Sequence, residues 1–149
     1  MIIISECATN RSQRTTAVWT EISFDVPANN ANMCHLDFFL NTNPLKNAPL
    51  VLSGQAPYTF NISRLEPRIN KDRDTWNTHP KVVEYAATVT VEHGGKTRVD
   101  GGWFACPKGQ VAQFLLMPGS DRNLKLEWYE LDYRADEGGP HGVVLDMYT

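Results

Sequence analysis

The sequence predicts an all-β domain, a two-sheet antiparallel β-sandwich or jelly roll of about eight strands. Three observations carry that expectation. Apolar residues recur with period two in short runs, clusters of Gly, Pro and Asn separate the runs, and no segment sustains a helical period. A length of 149 residues suits a single core. Residues 1–15 read as an N-terminal extension, and residues 16–149 as one domain.

Taken in order, the first strand covers residues 16–26, with Val18, Ile22, Phe24 and Val26 on one face and Trp19, Glu21, Ser23 and Asp25 on the other. Pro27 stops it, and the polar segment 29–32 turns the chain. In residues 33–40, Cys34, Leu36, Phe38 and Leu40 face inward while His35, Asp37 and Phe39 face outward. Residues 50–52 make a brief strand. In residues 57–65, Tyr58, Phe60 and Ile62 share a face, so Asn61 points the other way. The charged stretch 64–79 contains Pro67 and Trp76 and reads as a long loop closed by Pro80. Val83, Tyr85, Ala87, Val89 and Val91 then alternate without a break, and a turn at His93-Gly94-Gly95-Lys96 leads into residues 97–99. Residues 111–117 are apolar on both faces, as a central, doubly covered strand is. Leu124, Leu126 and Trp128 alternate with Lys125, Glu127 and Tyr129. After a loop over 134–142, Val143, Leu145 and Met147 form a closing strand.

A net charge of −3 argues against a nucleic-acid partner, which selects a basic face, and against docking to anionic lipid. No segment approaches the roughly 20 apolar residues of a membrane-spanning helix. The opening Met1-Ile2-Ile3-Ile4 is shorter than the ~7–15-residue core of a signal peptide. The chain therefore reads as cytoplasmic or as a mature form whose leader has been removed. Sequons at Asn10 and Asn61 favour the second, a secreted or secretory-pathway protein. Cys7, Cys34 and Cys106 leave one thiol over if two pair.

Familiar catalytic motifs fail in turn. Gly95-Lys96-Thr97 ends like a phosphate loop, but Thr90 stands where the first glycine belongs and the segment joins two strands. The nucleophile elbow, the zinc-binding histidine pair and the dinucleotide glycine fingerprint are all missing. His35 and Asp37 share a strand face, which suits the start of a metal site or a general-base pair, and equally a solvated face. Asp132, Asp136 and Glu137 offer oxygens of the kind calcium takes, without the spacing of a calcium loop. Neither a metal nor a cofactor is expected. Cys34, on an apolar face, suits packing or a disulfide better than nucleophilic work.

Several stretches together carry a resemblance. They are Ile22-Ser23-Phe24-Asp25-Val26-Pro27, Cys34-His35-Leu36-Asp37-Phe38-Phe39-Leu40, Ala105-Cys106-Pro107-Lys108-Gly109-Gln110, the strand that follows, residues 125–133 and Gly142-Val143-Val144-Leu145. From about residue 16 to the end the chain resembles the fungal But-two C-terminal-domain family, named after a protein that binds a ubiquitin-like modifier. The two cysteine segments are the most specific part. The resemblance implies a β-sandwich, often on secreted fungal proteins, and a Cys34–Cys106 bridge between the sheets. The chain departs from the pattern by ending Asp146-Met147-Tyr148-Thr149 without a terminal cysteine, and by carrying Cys7.

The aromatic residues are unusually placed. Trp19, Phe39 and Tyr129 fall on nominally polar strand faces, Trp76 lies in the charged loop, and Trp103 follows Gly101-Gly102. Either loops cover a second face and bury these rings, or the rings line a concave pocket for an apolar or planar small molecule. On the second reading Trp76, Trp103, Trp19 and Tyr129 bind the ligand, and His79, Arg98, Arg134 and His141 act on it. The reaction would be a cofactor-independent, pericyclase-type cyclisation in natural-product biosynthesis. Such chemistry needs the reacting ends held close and a donor on a carbonyl. The alternative is a non-catalytic secreted or cell-surface module that binds glycan or protein. An enclosed cavity favours the cyclase, and a flat aromatic strip on one sheet face favours the module. The sequence sets no oligomeric state.

Overall fold

Side chains alternate across a strand, so each period-two run can bury one face and leave the other outside. The computed structural model describes residues 2–7, 16–119 and 124–149, and the backbone alone for residues 2–7, 16 and 17. The strands are β1 (Ile2–Cys7), β2 (Thr16–Val18), β3 (Thr20–Asp25), β4 (Met33–Phe39), β5 (Leu50–Gly54) and β6 (Tyr58–Leu65). They continue with β7 (Val82–Val91), β8 (Thr97–Gly101), β9 (Trp103–Ala105), β10 (Val111–Pro118), β11 (Leu124–Trp128) and β12 (Gly142–Tyr148). A single 3-10 turn, Ala135–Glu137, interrupts the last loop. Among the described residues no helix is long and apolar enough to cross a membrane.

The chain is all-β and sandwich-like, as its periodicity predicts, with more strands than the eight or so expected. They form three antiparallel sheets, ordered β2-β1-β11-β5, β3-β10-β6-β7-β8 and β12-β4-β9. One core joins them. Phe38 of β4 meets Phe60 of β6 and Trp128 of β11 at centroid distances of 5.2 and 5.1 Å, so one ring from each sheet converges there. Edge-to-face contacts of this kind add to the stabilisation from burial alone. Cys34, Leu36, Ile62, Val89, Phe114, Leu116 and Leu126 complete that centre, all fully buried.

Three expectations need correction. Residues 16–26 are not one strand, because the chain changes sheets at Trp19: β2 pairs with β1, whereas β3 pairs with β10. Val18, expected inside, is consequently 36% exposed. The unbroken alternation of residues 83–91 is interrupted by a bulge, where Ile62 faces Ala87 but Ser63 faces Tyr85, skipping Ala86. A second irregularity skips Val83, since Arg64 faces Glu84 and Leu65 faces Val82, and residues 82–85, Val83 and Tyr85 among them, are all exposed. The Cys34–Cys106 bridge is present, with Cα atoms 5.1 Å apart. It does not cross between sheets. It ties β4 to the residue that follows its own neighbour β9, next to the Cys34↔Phe104 pair.

Two structural features went unread in the sequence. Within the stretch set aside as an extension, residues 2–6 pair with β11 and residues 5–7 with β2. Gly101-Gly102 carries the chain from the five-stranded sheet to the three-stranded one: Gly101 still faces Ala87, and Trp103 already faces His35. Both glycines have φ near +90°, and a Cβ at either would press within 3 Å of a neighbouring carbonyl oxygen. Only glycine fits such a crossing without strain.

Candidate functional site

The outer face of the β12-β4-β9 sheet is built by parity. The outward residues of β4 are Met33, His35, Asp37 and Phe39. Register places Trp103 beside His35 on one side, and Asp146 beside His35 and Tyr148 beside Met33 on the other. Met33, Phe39, Trp103 and Tyr148 are 42%, 41%, 57% and 45% exposed, a high value for such apolar side chains on one small sheet. Trp103 lies 4.3 Å from the His35 ring and 5.2 Å from Tyr148, so the rings span β4. Between the apolar groups sits a polar centre. His35 Nδ1 is 3.1 Å from Asp37 Oδ2 and its Nε2 is 3.1 Å from the Gly101 carbonyl oxygen, so an acceptor stands at each ring nitrogen. Burial, and then the neighbouring Asp37 carboxylate, push the Asp146 pKa up. Among the described residues no group of three or more His, Cys, Asp and Glu side chains is placed to hold a metal ion.

A second aromatic site lies on the outer face of the five-stranded sheet. Residues 66–81 cross that face, where the Ile69 N–H donates to Gln113 Oε1 at 2.9 Å and Gln113 Nε2 donates to Ser23 Oγ. The loop buries Leu65 and Leu115, which is why β10 is apolar on both sides. At one end it brings Trp76 onto Trp19, with centroids 3.9 Å apart, and places His79 at 6.2 Å from Trp19. These rings, with Glu21, Asp74, Thr75 and Leu115, line a hollow of about 230 Å³. Of the eight residues assigned above to catalysis and ligand binding, the structure brings these three together: Trp19, Trp76 and His79.

The other five lie apart. Trp103 belongs to the small-sheet face. Tyr129 rims a hollow of about 50 Å³ with Pro49, Leu50 and Val51. Arg98 pairs with Asp100 at 3.1 Å, and Arg134 with Glu137 at 3.5 Å, both on the surface. His141 is buried, with Nδ1 accepting the Asn41 N–H at 2.9 Å and Nε2 donating to the Pro49 carbonyl at 3.1 Å. Burial pushes its pKa down, which keeps the ring neutral and both nitrogens occupied. It borders a hollow of about 480 Å³ that also holds Glu130. Glu130 Oε1 is itself spent on Trp128 Nε1 and the Val143 N–H.

Asn10 lies outside the described residues, as does the side chain of Cys7. Asn61 is on the face away from the core, where its Oδ1 accepts from Thr88 Oγ1 at 2.7 Å. The sequence reading passed over Glu21, Asp74, Met33, Asp146 and Tyr148. The signal for two of them was present: Glu21 shares a face with Trp19 two residues away, and Met33 shares one with His35.

The fold and its exposed aromatic faces place the chain among all-β sandwich domains. It belongs to the family described as "Ubiquitin 3 binding protein But2 C-terminal domain", which matches residues 6–133. That is the family to which the Cys34 and Cys106 segments pointed. No curated protein and no solved structure matches the chain.

Proposed function

We propose that the domain is a non-catalytic protein-binding module whose docking face is the outer face of β12-β4-β9. The observation that carries this reading is the exposed set Met33, Phe39, Trp103 and Tyr148 on one sheet face. Aromatic residues and Met are enriched at protein interfaces, and Trp and Tyr are frequent energetic anchors. The face is also well mounted, since the Cys34–Cys106 bridge fixes β4 against the end of β9. The family description names binding of ubiquitin 3, which makes that protein the first partner to test. The disulfide and the Asn61 sequon favour an oxidising, secretory setting for the module.

The cyclase reading finds less support. It needs His79, Arg98, Arg134 and His141 around one ligand, and these four residues lie at separate places. The experiment is an NMR titration of the isotope-labelled chain with ubiquitin 3. Binding should shift the Met33 and Phe39 amides and the Trp103 indole N–H, and leave the residues around Arg98 unmoved. Binding whose shifts centre elsewhere would reject this face.

A further inference from the structure

The hollow under Trp19 and Trp76 was expected to suit an apolar or planar ligand, and its lining says otherwise. The two indoles form a continuous aromatic wall, 3.9 Å between centroids and tilted by 49°. The lining includes Glu21 and Asp74 and neither Lys nor Arg; His79 is the one lining group whose charge opposes theirs. Glu21 Oε1 is buried and meets no donor among the described residues. The adjacent Asp74 carboxyl can satisfy Glu21 only while one of the pair holds a proton, and Asp74 Oδ2 already accepts the Asn70 N–H at 2.7 Å. Burial and Asp74, in that order, push the Glu21 pKa up. His79 adds no free donor in its neutral form, because Nδ1 donates to the Pro80 carbonyl at 2.7 Å and Nε2 is left as an acceptor. The Thr75 hydroxyl is engaged with Thr78.

We propose that this hollow binds an organic cation bearing N–H groups, of the alkylammonium kind found at the end of a lysine side chain. Such a group supplies the donor that Glu21 Oε1 lacks, balances the carboxyl pair, and lies against indole faces whose quadrupole attracts cations. A neutral ligand with a hydroxyl can donate to the buried oxygen but leaves the carboxyl charge unbalanced and gains nothing from the indole quadrupoles. An anion meets two carboxyl groups, and a quaternary ammonium brings charge without a donor. The size agrees: about 230 Å³ is below the roughly 300–1,000 Å³ of drug-sized pockets and suits a single headgroup. The site is separate from the sheet face proposed for protein docking and does not depend on that reading.

The test titrates the full chain with n-butylammonium, n-butyltrimethylammonium and n-butanol, following the Trp19 and Trp76 indole N–H signals. Butylammonium should shift both signals saturably, the trimethyl form about tenfold more weakly, and butanol, which brings a donor without charge, at least tenfold more weakly. Glu21→Gln should weaken butylammonium about tenfold. Trp76→Ala, at a side chain 57% exposed, should do the same through the Trp19 signal while melting like the wild type. Running Nα-acetyl-lysine methylamide beside butylammonium separates the sources. Tighter binding of the lysine derivative points to a side chain on a protein, and equal or weaker binding to a free amine; either result supports the site. No saturable response to butylammonium, equal binding of butanol, or full affinity in both variants would overturn it.

Discussion

His141 illustrates how a residue with the right chemistry can be consumed by structure. Its ring closes the gap between Asn41, just after β4, and Pro49, just before β5, and neither nitrogen remains for a substrate. Because burial depresses its folded-state pKa, the unfolded chain takes up a proton at higher pH than the folded chain. The stability it contributes is complete above the unfolded value near 6.5 and is lost as pH falls toward the folded one. Glu21, Glu130 and Asp146 act in the opposite sense, since their raised pKa values weaken stability as pH rises. Melting curves should therefore show the wild type losing stability relative to His141→Gln between about pH 7 and pH 5. The substitution itself should cost about 1–3 kcal/mol at neutral pH, as unpaired buried groups do. Asn61 gives a second prediction at this scale. Its outward position supports glycan occupancy in a preparation secreted by a eukaryotic host, and an intact mass equal to the bare polypeptide would contradict it. Parity along a strand made the outward side of Asn61 legible in the sequence. The partners of His141 were not, because they lie about a hundred residues away along the chain.

Elements show the same division between local and distant information. The apolar, two-faced character of β10 was legible, and so was the charged loop before β7. That the loop is the cover over β10 was not, since it depends on contacts such as Ile69 with Gln113 and Trp76 with Trp19. The sheet change at Trp19 leaves no mark on the alternation of residues 16–26, because period two reports which face is apolar and not which neighbour a strand takes. The register shifts at Ala86 and Val83 break the alternation inside what looks like the cleanest strand. The bridge has an energetic consequence on this scale. Cys34 and Cys106 are separated by 72 positions in the chain, and restricting the unfolded chain over that span is worth roughly 4 kcal/mol. A variant with both Cys34→Ser and Cys106→Ser should lose about that much in denaturant unfolding. A loss below about 1 kcal/mol would mean that β4 and β9 hold together without the bridge.

For the molecule as a whole, one core drawn from three sheets leaves two groups of aromatic side chains on outer surfaces. Phe38, Phe60 and Trp128 take the centre, whereas Trp103 and Tyr148 remain on the small sheet and Trp19 and Trp76 on the large one. The sequence marked most of these rings as unusual without indicating which would meet, since their grouping depends on sheet order. That order turns the expected single pocket into two surfaces of different chemistry. The central claim, that β12-β4-β9 is a docking face, can be tested by comparing the affinity of ubiquitin 3 for Trp103→Ala and for Tyr129→Ala. Both side chains are well exposed, so neither substitution should alter melting appreciably. The account predicts at least tenfold weaker binding for Trp103→Ala, as truncating an interface anchor gives, and wild-type affinity for Tyr129→Ala. Unchanged affinity in Trp103→Ala, with the loss appearing in Tyr129→Ala, would contradict it.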